Sequence, residues 1–183
     1  MKVKSRRKAR EAALQALYQI ELSGASVTDV LKRESASHEL SPDQSEYAER
    51  LVRGAWANHE MLDRGIAGIL QEYDFDRLAA VDRNVLRLAA FELEYVPNVP
   101  PAVTINEAIE IAKKFSTAES GRFVNGVLGR FLQQSSKKDW EPHTVPEEEE
   151  PAPEPQPVEL EELSEDAPEL KVSQRVGPWT TRS

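Results

Sequence analysis

Apolar residues recur at spacings of three and four along residues 9–131, and this period constrains the fold more than any other feature. One apolar stripe consists of Ala9, Ala12, Ala13, Ala16, Leu17 and Ile20. Such a stripe places its members on one face of a helix. No stretch alternates apolar and polar residues with a period of two, as a half-buried strand would. We therefore expect an all-α fold, a compact bundle of about seven helices.

Local signals predict the ends of the first helices. The first helix covers residues 9–22 and ends before Gly24, which suits a helix C-terminus. A short second helix runs from Val27 to about Arg33. Ser41-Pro42-Asp43-Gln44 then reads as a capping box with proline in the first helical position. The stripe that follows extends to about Tyr73, and we expect it to break between residues 54 and 59 into two helices.

Similar signals organise the second part of the chain. A stripe between Leu78 and Tyr95 ends at the proline-rich residues 96–101, which cannot continue a helix. A second capping box, Thr104-Ile105-Asn106-Glu107, predicts a helix that reaches about Phe115, and a third, Ser116-Thr117-Ala118-Glu119, predicts the last helix. Gly126 and Gly129 on that last helix are expected to allow close helix packing.

Charge divides the chain into two parts. Residues 1–138 contain 20 Lys and Arg against 19 Asp and Glu, whereas residues 139–183 contain 3 against 13, together with eight of the 12 prolines. A segment so rich in Pro and Glu and so poor in apolar residues cannot offset the entropy of ordering it. We expect one helical domain, 1–138, followed by a disordered acidic tail, 139–183.

Composition also limits the cellular context. The chain has no cysteine, which excludes disulfides and thiolate chemistry and fits a reducing compartment. Its basic N-terminus lacks the apolar segment of a signal peptide, and no apolar run approaches the length of a membrane span. We expect a cytoplasmic protein without a membrane partner.

The first ten residues carry six cations and no acid: Lys2, Lys4, Arg6, Arg7, Lys8 and Arg10. Cations at a helix N-terminus oppose the helix macrodipole. RNA phosphates would remove that penalty, and Arg can also stack on unpaired bases. The simpler alternative is a solvated helix entrance. A membrane surface is disfavoured because the apolar face of this helix is mostly alanine and lacks a bulky wedge.

A second group of cations and rings lies at the predicted corner between the last two helices. It consists of Lys113, Lys114, Phe115, Arg122 and Phe123. Single-stranded nucleic acid is bound by such a mixture, because rings stack on bases and cations neutralise phosphates. The alternative is that both phenylalanines belong to the core, which is the commoner fate of aromatic residues at helical spacing.

No catalytic motif is recognisable. His38, His59 and His143 are scattered, and there is no glycine-rich phosphate loop, no H-E-x-x-H pair and no nucleophile elbow. We therefore expect a binding protein that is not an enzyme and that has no catalytic residues, no cofactor and no metal site.

Three blocks of sequence resemble the NusB family of transcription antitermination factors. They are Arg6–Ala12 with Gln15–Tyr18, Val85–Ala89 with Glu92-Leu93, and Ile105–Lys113 with Arg122–Leu128. The resemblance spans residues 5 to about 134. It implies a helical bundle in two halves that binds the boxA element of nascent ribosomal RNA transcripts together with NusE, a small-subunit ribosomal protein, in an antitermination complex with RNA polymerase. Some members of the family form homodimers through the basic face.

The resemblance also assigns residues to the two partners. Those implied to meet RNA are Arg6, Arg7, Lys8, Arg10, Arg87, Lys114, Phe115, Arg122 and Phe123. Those implied to meet NusE are Tyr18, Asp76 and Asp82. An acidic group at Asp74, Asp76 and Asp82 would complement a basic ribosomal protein. Alternatively, these acids cap and solvate helix starts.

Three alternatives remain open. The same helical domain resembles the N-terminal part of some ribosomal RNA cytosine methyltransferases, but those carry a large α/β domain for S-adenosylmethionine, and this chain offers only an acidic tail after residue 138. The alternative to RNA binding is that the protein is a protein-protein adaptor whose basic N-terminus contacts an acidic partner. The tail is either a solubilising extension or a competitor of RNA for the basic N-terminus.

Overall fold

A computed structural model describes residues 3–70 and 74–141, with side chains from Arg6 onward. These residues form seven α-helices and one 3-10 helix, and they contain no strand. The α-helices are α1 (Val3–Ser23), α2 (Val27–Ser37), α3 (Pro42–Ala57), α4 (His59–Ala67), α5 (Ala80–Tyr95), α6 (Pro101–Phe115) and α7 (Ala118–Gln134), and the 3-10 helix is Phe75–Arg77. The prediction of an all-α bundle is confirmed. The tail predicted for residues 139–183 lies outside the described residues except for its first three positions, as do Lys2 and the side chain of Lys4.

Helix α5 is the centre of the bundle. It packs against α1, α3, α4, α6 and α7. Every residue from Asn84 to Leu93 is buried, so this helix has no solvated face along ten consecutive positions. A helix surrounded by others in this way contributes all its faces to one core. None of the helices in residues 3–70 and 74–141 is long and apolar enough to span a membrane.

Several predicted helix ends are confirmed. Gly24 follows α1 with a φ of +63°, a conformation that glycine adopts at little cost. Ser41 and Gln44 form the reciprocal capping box at the start of α3. Asn58 separates α3 from α4, within the region predicted for the break. Helix α2 extends to Ser37, beyond the predicted end near Arg33, because its last turns pack on α1 through a 2.6 Å hydrogen bond from Gln19 Nε2 to Glu34 Oε1.

The other two predicted capping boxes are wrong. Helix α6 begins at Pro101, so Thr104 lies inside the helix and is only 1% exposed. Proline in the first helical position starts the helix earlier, because its fixed φ is already helical and it has no N–H to satisfy. At α7 the cap is Thr117, whose hydroxyl accepts a 3.1 Å hydrogen bond from the Ser120 amide, and not Ser116.

Glycine permits a close helix contact at a different place from the one expected. A Cβ atom on Gly54 in α3 would lie 1.9 Å from the ring of Phe91 in α5, so these two helices approach through this glycine. Gly126 and Gly129 have no atom within 4 Å of an added Cβ. The prediction that they allow close helix packing is therefore wrong.

The chain after α7 returns to the α5–α6 turn. The buried Lys137 Nζ donates to the carbonyl oxygens of Glu92 at 3.2 Å, Val99 at 2.7 Å and Val96. Burial lowers the pKa of Lys137 to about 8. Trp140 Nε1 donates a 3.0 Å hydrogen bond to the Pro97 carbonyl. The carbonyls of Glu92 and Val96 also accept backbone hydrogen bonds from Val96 and Val99, so Lys137 adds a second donor to each of them and fastens the end of the chain to this turn.

We expect Gly54→Ala and Gly126→Ala to have opposite effects on the free energy of unfolding. Gly54→Ala places a methyl group where the Phe91 ring lies and should destabilise the fold by about 2–3 kcal/mol. The second improves helix propensity in open space and should stabilise by about 0.5–1 kcal/mol. Urea unfolding of both variants measures the difference, and equal changes would contradict the packing of α3 on α5.

Candidate nucleic-acid interface

Arg7 is held along the seam between α1 and α6. Its Nε and Nη2 atoms donate to the two carboxylate oxygens of Glu107 at 2.8 and 2.6 Å, a bidentate geometry. The hydrogen bond from Arg7 lowers the pKa of Glu107, although desolvation of the carboxylate opposes this effect. The Glu107 side chain is 7% exposed and the Arg7 side chain 49% exposed. The guanidinium is therefore fixed in position and half open to solvent.

The residues beside Arg7 have different surroundings. The Arg6 guanidinium lies 4.7 Å from the centroid of the Tyr47 ring and is half-buried. Lys8 is exposed and forms no ion pair with any carboxylate in the described part of the chain. Of these three consecutive cations, Arg6 stacks on a ring, Arg7 is paired with an acid and Lys8 is unpaired.

Contacts between α1, α6 and α7 connect this stretch to the predicted corner. Lys114 Nζ lies 2.7 Å from Oε2 of Glu11, a residue of α1 that follows Lys8 by one turn. The same Nζ lies 5.1 Å from the centroid of the Phe115 ring. Lys113 packs over Gly121 of α7, where an added Cβ would come within 2.8 Å of its Cγ atom. The structure therefore brings the N-terminal cations and the corner together.

The remaining residues of the corner face outward to different degrees. Arg122 is exposed and forms no ion pair among residues 3–70 and 74–141. Phe115 and Phe123 are partly buried and pack against the core, so each ring retains some accessible surface. Lys113 lies 3.0 Å from Glu110, an exposed pair of the kind that contributes little to stability.

Arg10 and Arg87 are corrections to the predicted RNA surface, because both are buried. Arg10 is 3% exposed, and its Nη2 lies 2.9 Å from Glu92 Oε1, which also accepts a hydrogen bond from the Tyr47 hydroxyl. Burial and the nearby Glu92 carboxylate raise the pKa of Tyr47. Such guanidinium groups connect helices and are not presented to a ligand on the surface.

Arg87 connects a second set of helices. It is 6% exposed, and its Nε and Nη2 donate to the two oxygens of Asp63 in α4, both at 2.6 Å. Its Nη1 lies 3.0 Å from Glu21 Oε1 in α1. Sequence patterns did not separate Arg10 and Arg87 from the exposed cations, since their acidic partners are distant along the chain.

A second surface lies near the other end of α1. Tyr18 is 37% exposed and Leu22, one turn later, is 61% exposed. Between them Glu21 pairs with Arg83 at 2.8 Å, and Arg83 Nη1 donates to the Asp76 carbonyl at 3.3 Å. These bonds place the exposed Tyr18–Leu22 pair beside the 3-10 helix. Sequence analysis missed Leu22, although an apolar residue outside the buried stripe was the available signal.

The three acids near this surface differ in their roles. Asp74 caps the 3-10 helix through a 3.1 Å bond that its Oδ1 accepts from the Asp76 amide. The Asp76 side chain is exposed. Asp82 is half-buried, and its Oδ2 accepts a 3.0 Å hydrogen bond from the Ser120 hydroxyl of α7. Capping thus accounts for Asp74, whereas Asp76 remains open to solvent.

Within the described ranges no three acidic or histidine side chains converge to hold a metal ion.

The fold and these surfaces define an all-helical binding protein with a basic face on α1, α6 and α7 and an apolar, acidic-edged face on α1 and the 3-10 helix. The sequence profile of the NusB family matches residues 7–133. The chain belongs to the NusB family.

Named relatives agree with this assignment. The transcription antitermination protein NusB of Symbiobacterium thermophilum is 47% identical over 137 residues, which cover 70% of this chain and 90% of the relative. The protein of the same name from Myxococcus xanthus is 42% identical and covers 73% of this chain and 98% of the relative.

Solved structures show the same fold. T. maritima NusB superimposes with a TM-score of 0.68 at 39% identity, over 73% of this chain and 94% of that one. A NusB chain from a complex of the antitermination factors NusB and NusE with dsRNA superimposes with a TM-score of 0.67 at 30% identity, over 72% of this chain and 98% of that one.

The Arg7–Glu107 pair should make stability depend on pH. Because the pKa of Glu107 is lower in the folded protein than its ordinary value of 4.5, the stabilisation is present above about pH 4.5 and is lost as the pH falls through the folded pKa. We expect Glu107→Gln to be about 1–2 kcal/mol less stable than wild type at pH 7, after allowance for solvent at Arg7, and we expect this difference to be smaller at pH 3.

Urea unfolding at both pH values measures this difference. Glu49→Gln is the matched control, because Glu49 pairs with Arg53 at 2.6 Å with both side chains about half exposed, and its effect should stay within about 0.5 kcal/mol. A Glu107→Gln effect of the same size at both pH values would show that the carboxylate does not act through its charge.

Proposed function

We propose that this chain is a transcription antitermination factor that binds the boxA element of nascent ribosomal RNA together with NusE. It acts in the cytoplasm by assembly and not by catalysis. The observation that carries the proposal is the ion pair between Lys114 and Glu11, together with the packing of Lys113 over Gly121, because these contacts bring the first turns of α1, with the unpaired Lys8, next to the corner that bears Arg122 and the two half-buried rings. The NusB relative solved with NusE and dsRNA supports the same partners.

The basic face has separate groups for phosphates and for bases. Lys8 and Arg122 have no carboxylate partner among the described residues, so they are available to neutralise phosphates at the least cost. Phe115 and Phe123 offer partly accessible rings for stacking. We propose Arg6, Arg7 and Lys114 as further contacts, and we leave out the buried Arg10 and Arg87.

Acidic residues within the basic face favour selective binding. Lys114 pairs with Glu11, and Lys113 with Glu110. An RNA that binds these lysines must replace an existing charge partner, which reduces the gain from phosphate contact alone. Base contacts then supply a larger share of the affinity, and these depend on sequence.

The apolar face fits NusE. Tyr18 and Leu22 supply an exposed apolar pair, and Asp76 supplies negative charge at its edge. A ribosomal protein is expected to be basic, so the acid would steer it while the apolar pair supplies the buried contact. Asp82 would contribute through the local field, since its carboxylate is already bonded to Ser120.

Both faces share one rigid element. Helix α1 has 21 residues and is therefore about 30 Å long. The RNA face uses its first turns, and the NusE face uses its last turns. Holding both partners on one helix would keep boxA at a constant distance from NusE and so connect the RNA to the elongating polymerase complex.

Replacing the two unpaired cations should weaken RNA binding and its salt dependence. For the double variant Lys8→Ala with Arg122→Ala, we expect binding of a boxA-like RNA to be at least about tenfold weaker near 0.1 M salt. The slope of log K against log salt should become less steep by about 0.7 for each phosphate that the variant no longer neutralises. Fluorescence anisotropy over a salt series measures both. Lys32→Ala, an exposed cation on α2, is the control and should change neither.

A scrambled RNA and NusE complete this experiment. The proposal requires that wild type prefers the boxA-like RNA over the scrambled one and that NusE strengthens this binding. Equal, weak binding of both RNAs without any effect of NusE would favour the protein-protein adaptor instead.

Leu22→Ser should weaken NusE binding and leave RNA binding unchanged. Removal of an exposed apolar side chain at the centre of an interface is expected to weaken binding of NusE about tenfold or more. Because the Leu22 side chain is exposed, the substitution should leave the stability of the fold unchanged. Met61→Ser is the matched control, since Met61 is also exposed, at 46%, but lies on α4. Calorimetric titration with NusE tests this, and equal effects of the two variants would place the NusE face elsewhere.

A further inference from the structure

Arg7 differs from its neighbours because one hydrogen-bonding edge of its guanidinium is already occupied. Nε and Nη2 each donate one N–H to Glu107, which leaves the planar face of the group and three N–H donors, two on Nη1 and one on Nη2, for a ligand. The side chain is nevertheless 49% exposed. The structure thus presents a flat, immobilised and charge-compensated group on the basic face, next to Lys8 in the chain.

Moving Arg7 onto a phosphate would be costly. Glu107 is 7% exposed, and a buried carboxylate without its partner is strongly destabilising. The nearest other cation is Arg10, whose Nη1 lies 3.9 Å from Glu107 Oε2 and whose remaining nitrogens are committed to Glu92 and Tyr47. Arg10 Nη1 makes no hydrogen bond at that distance and cannot replace a bidentate pair, so Arg7 should stay on Glu107 when RNA binds. With its charge compensated by Glu107, Arg7 gains less from a phosphate through its remaining N–H donors than the unpaired Lys8 does.

We propose that Arg7 is a stacking platform for one unpaired nucleobase of the bound RNA and not a phosphate contact. This inference rests on the proposed RNA-binding function and assigns Arg7 a role in selecting sequence. A guanidinium plane stacks on a base through dispersion and cation–π attraction. Lys8, the next residue, has no carboxylate partner in the described chain and takes the phosphate role.

Arg7→Lys tests the plane without changing the charge. Lysine can still pair with Glu107 as a point charge, but it has no planar face. We expect a boxA-like single strand to bind about 5- to 30-fold more weakly to this variant, the loss that corresponds to stacking of one base. The same sequence as a duplex should bind wild type and Arg7→Lys equally, because its bases are stacked on each other.

A series of single strands, each with one abasic nucleotide, locates the base. At one position, removal of the base should weaken binding to wild type and leave binding to Arg7→Lys unchanged, since the stacking partner is already absent from that variant. Lys32→Arg, a change that also keeps the charge but lies at an exposed position on α2, is the control and should show the wild-type pattern. Binding of Arg7→Lys equal to wild type, or the same loss at every abasic position, would overturn the inference.

A second variant keeps the test independent of Arg7→Lys folding. Arg7→Gln with Glu107→Gln keeps the net charge and replaces an ion pair by an amide pair. We expect weaker binding with an unchanged salt slope, whereas a slope lower by about 0.7 would assign Arg7 to a phosphate and overturn the stacking role. If wild type prefers boxA-like RNA but shows no coupling between Arg7 and a base, only this inference fails. If wild type shows no such preference, the proposed function fails and this inference fails with it.

Discussion

The arrangement of both binding faces depends on the buried ion pair between Arg10 of α1 and Glu92 of α5. This pair, together with the Tyr47 hydroxyl of α3, connects α1, α3 and α5 at a site that is only a few per cent exposed. Its charges stabilise the fold only because each has its partner, and loss of one would leave the other buried and unpaired. The pair also determines the rotation of α1 about its axis. Since successive helical residues are about 100° apart, an inward Arg10 places Arg7 about 60° away, at the α6 seam, and Lys8 about 160° away, on the outside.

This orientation explains how a nearly neutral domain can present a basic face. Acids and bases are balanced over residues 1–138, but the structure places several acids where they hold helices together, as Glu21 and Glu92 do, and leaves Lys8 and Arg122 on the surface. Other acids remain within the basic face. Glu11 and Glu107 compensate Lys114 and Arg7, so attraction for any polyanion is reduced while local hydrogen-bonding and stacking groups are retained. Affinity can then depend more on which bases are present than on how many phosphates are present.

The sequence predicted the helices better than it predicted their exact starts. Ser41 was correctly identified as a cap because serine, proline and glutamine all agree with one register there. Thr104 was not a cap, because Pro101 begins the helix one turn earlier and the threonine is carried into the core. Gly54, expected only to break a helix, instead allows the close approach of Phe91 from 37 residues further along the chain. Local patterns cannot report such a contact, since nothing near Gly54 in the chain specifies which helix lies against it.

The sequence alone determined the all-helical class, the order of the helices, the basic character of the opening and the family. These depend on period, capping and composition, which are local properties of the chain. Only the tertiary structure decided which arginines face the surface. Arg6, Arg7, Arg10 and Arg87 are chemically identical, and they differ only in the side chains that the fold brings to them: Tyr47, Glu107, Glu92 and Asp63. Those partners are 24 to 100 residues away along the chain, so the roles of the four arginines are set by helix packing and not by the sequence around them.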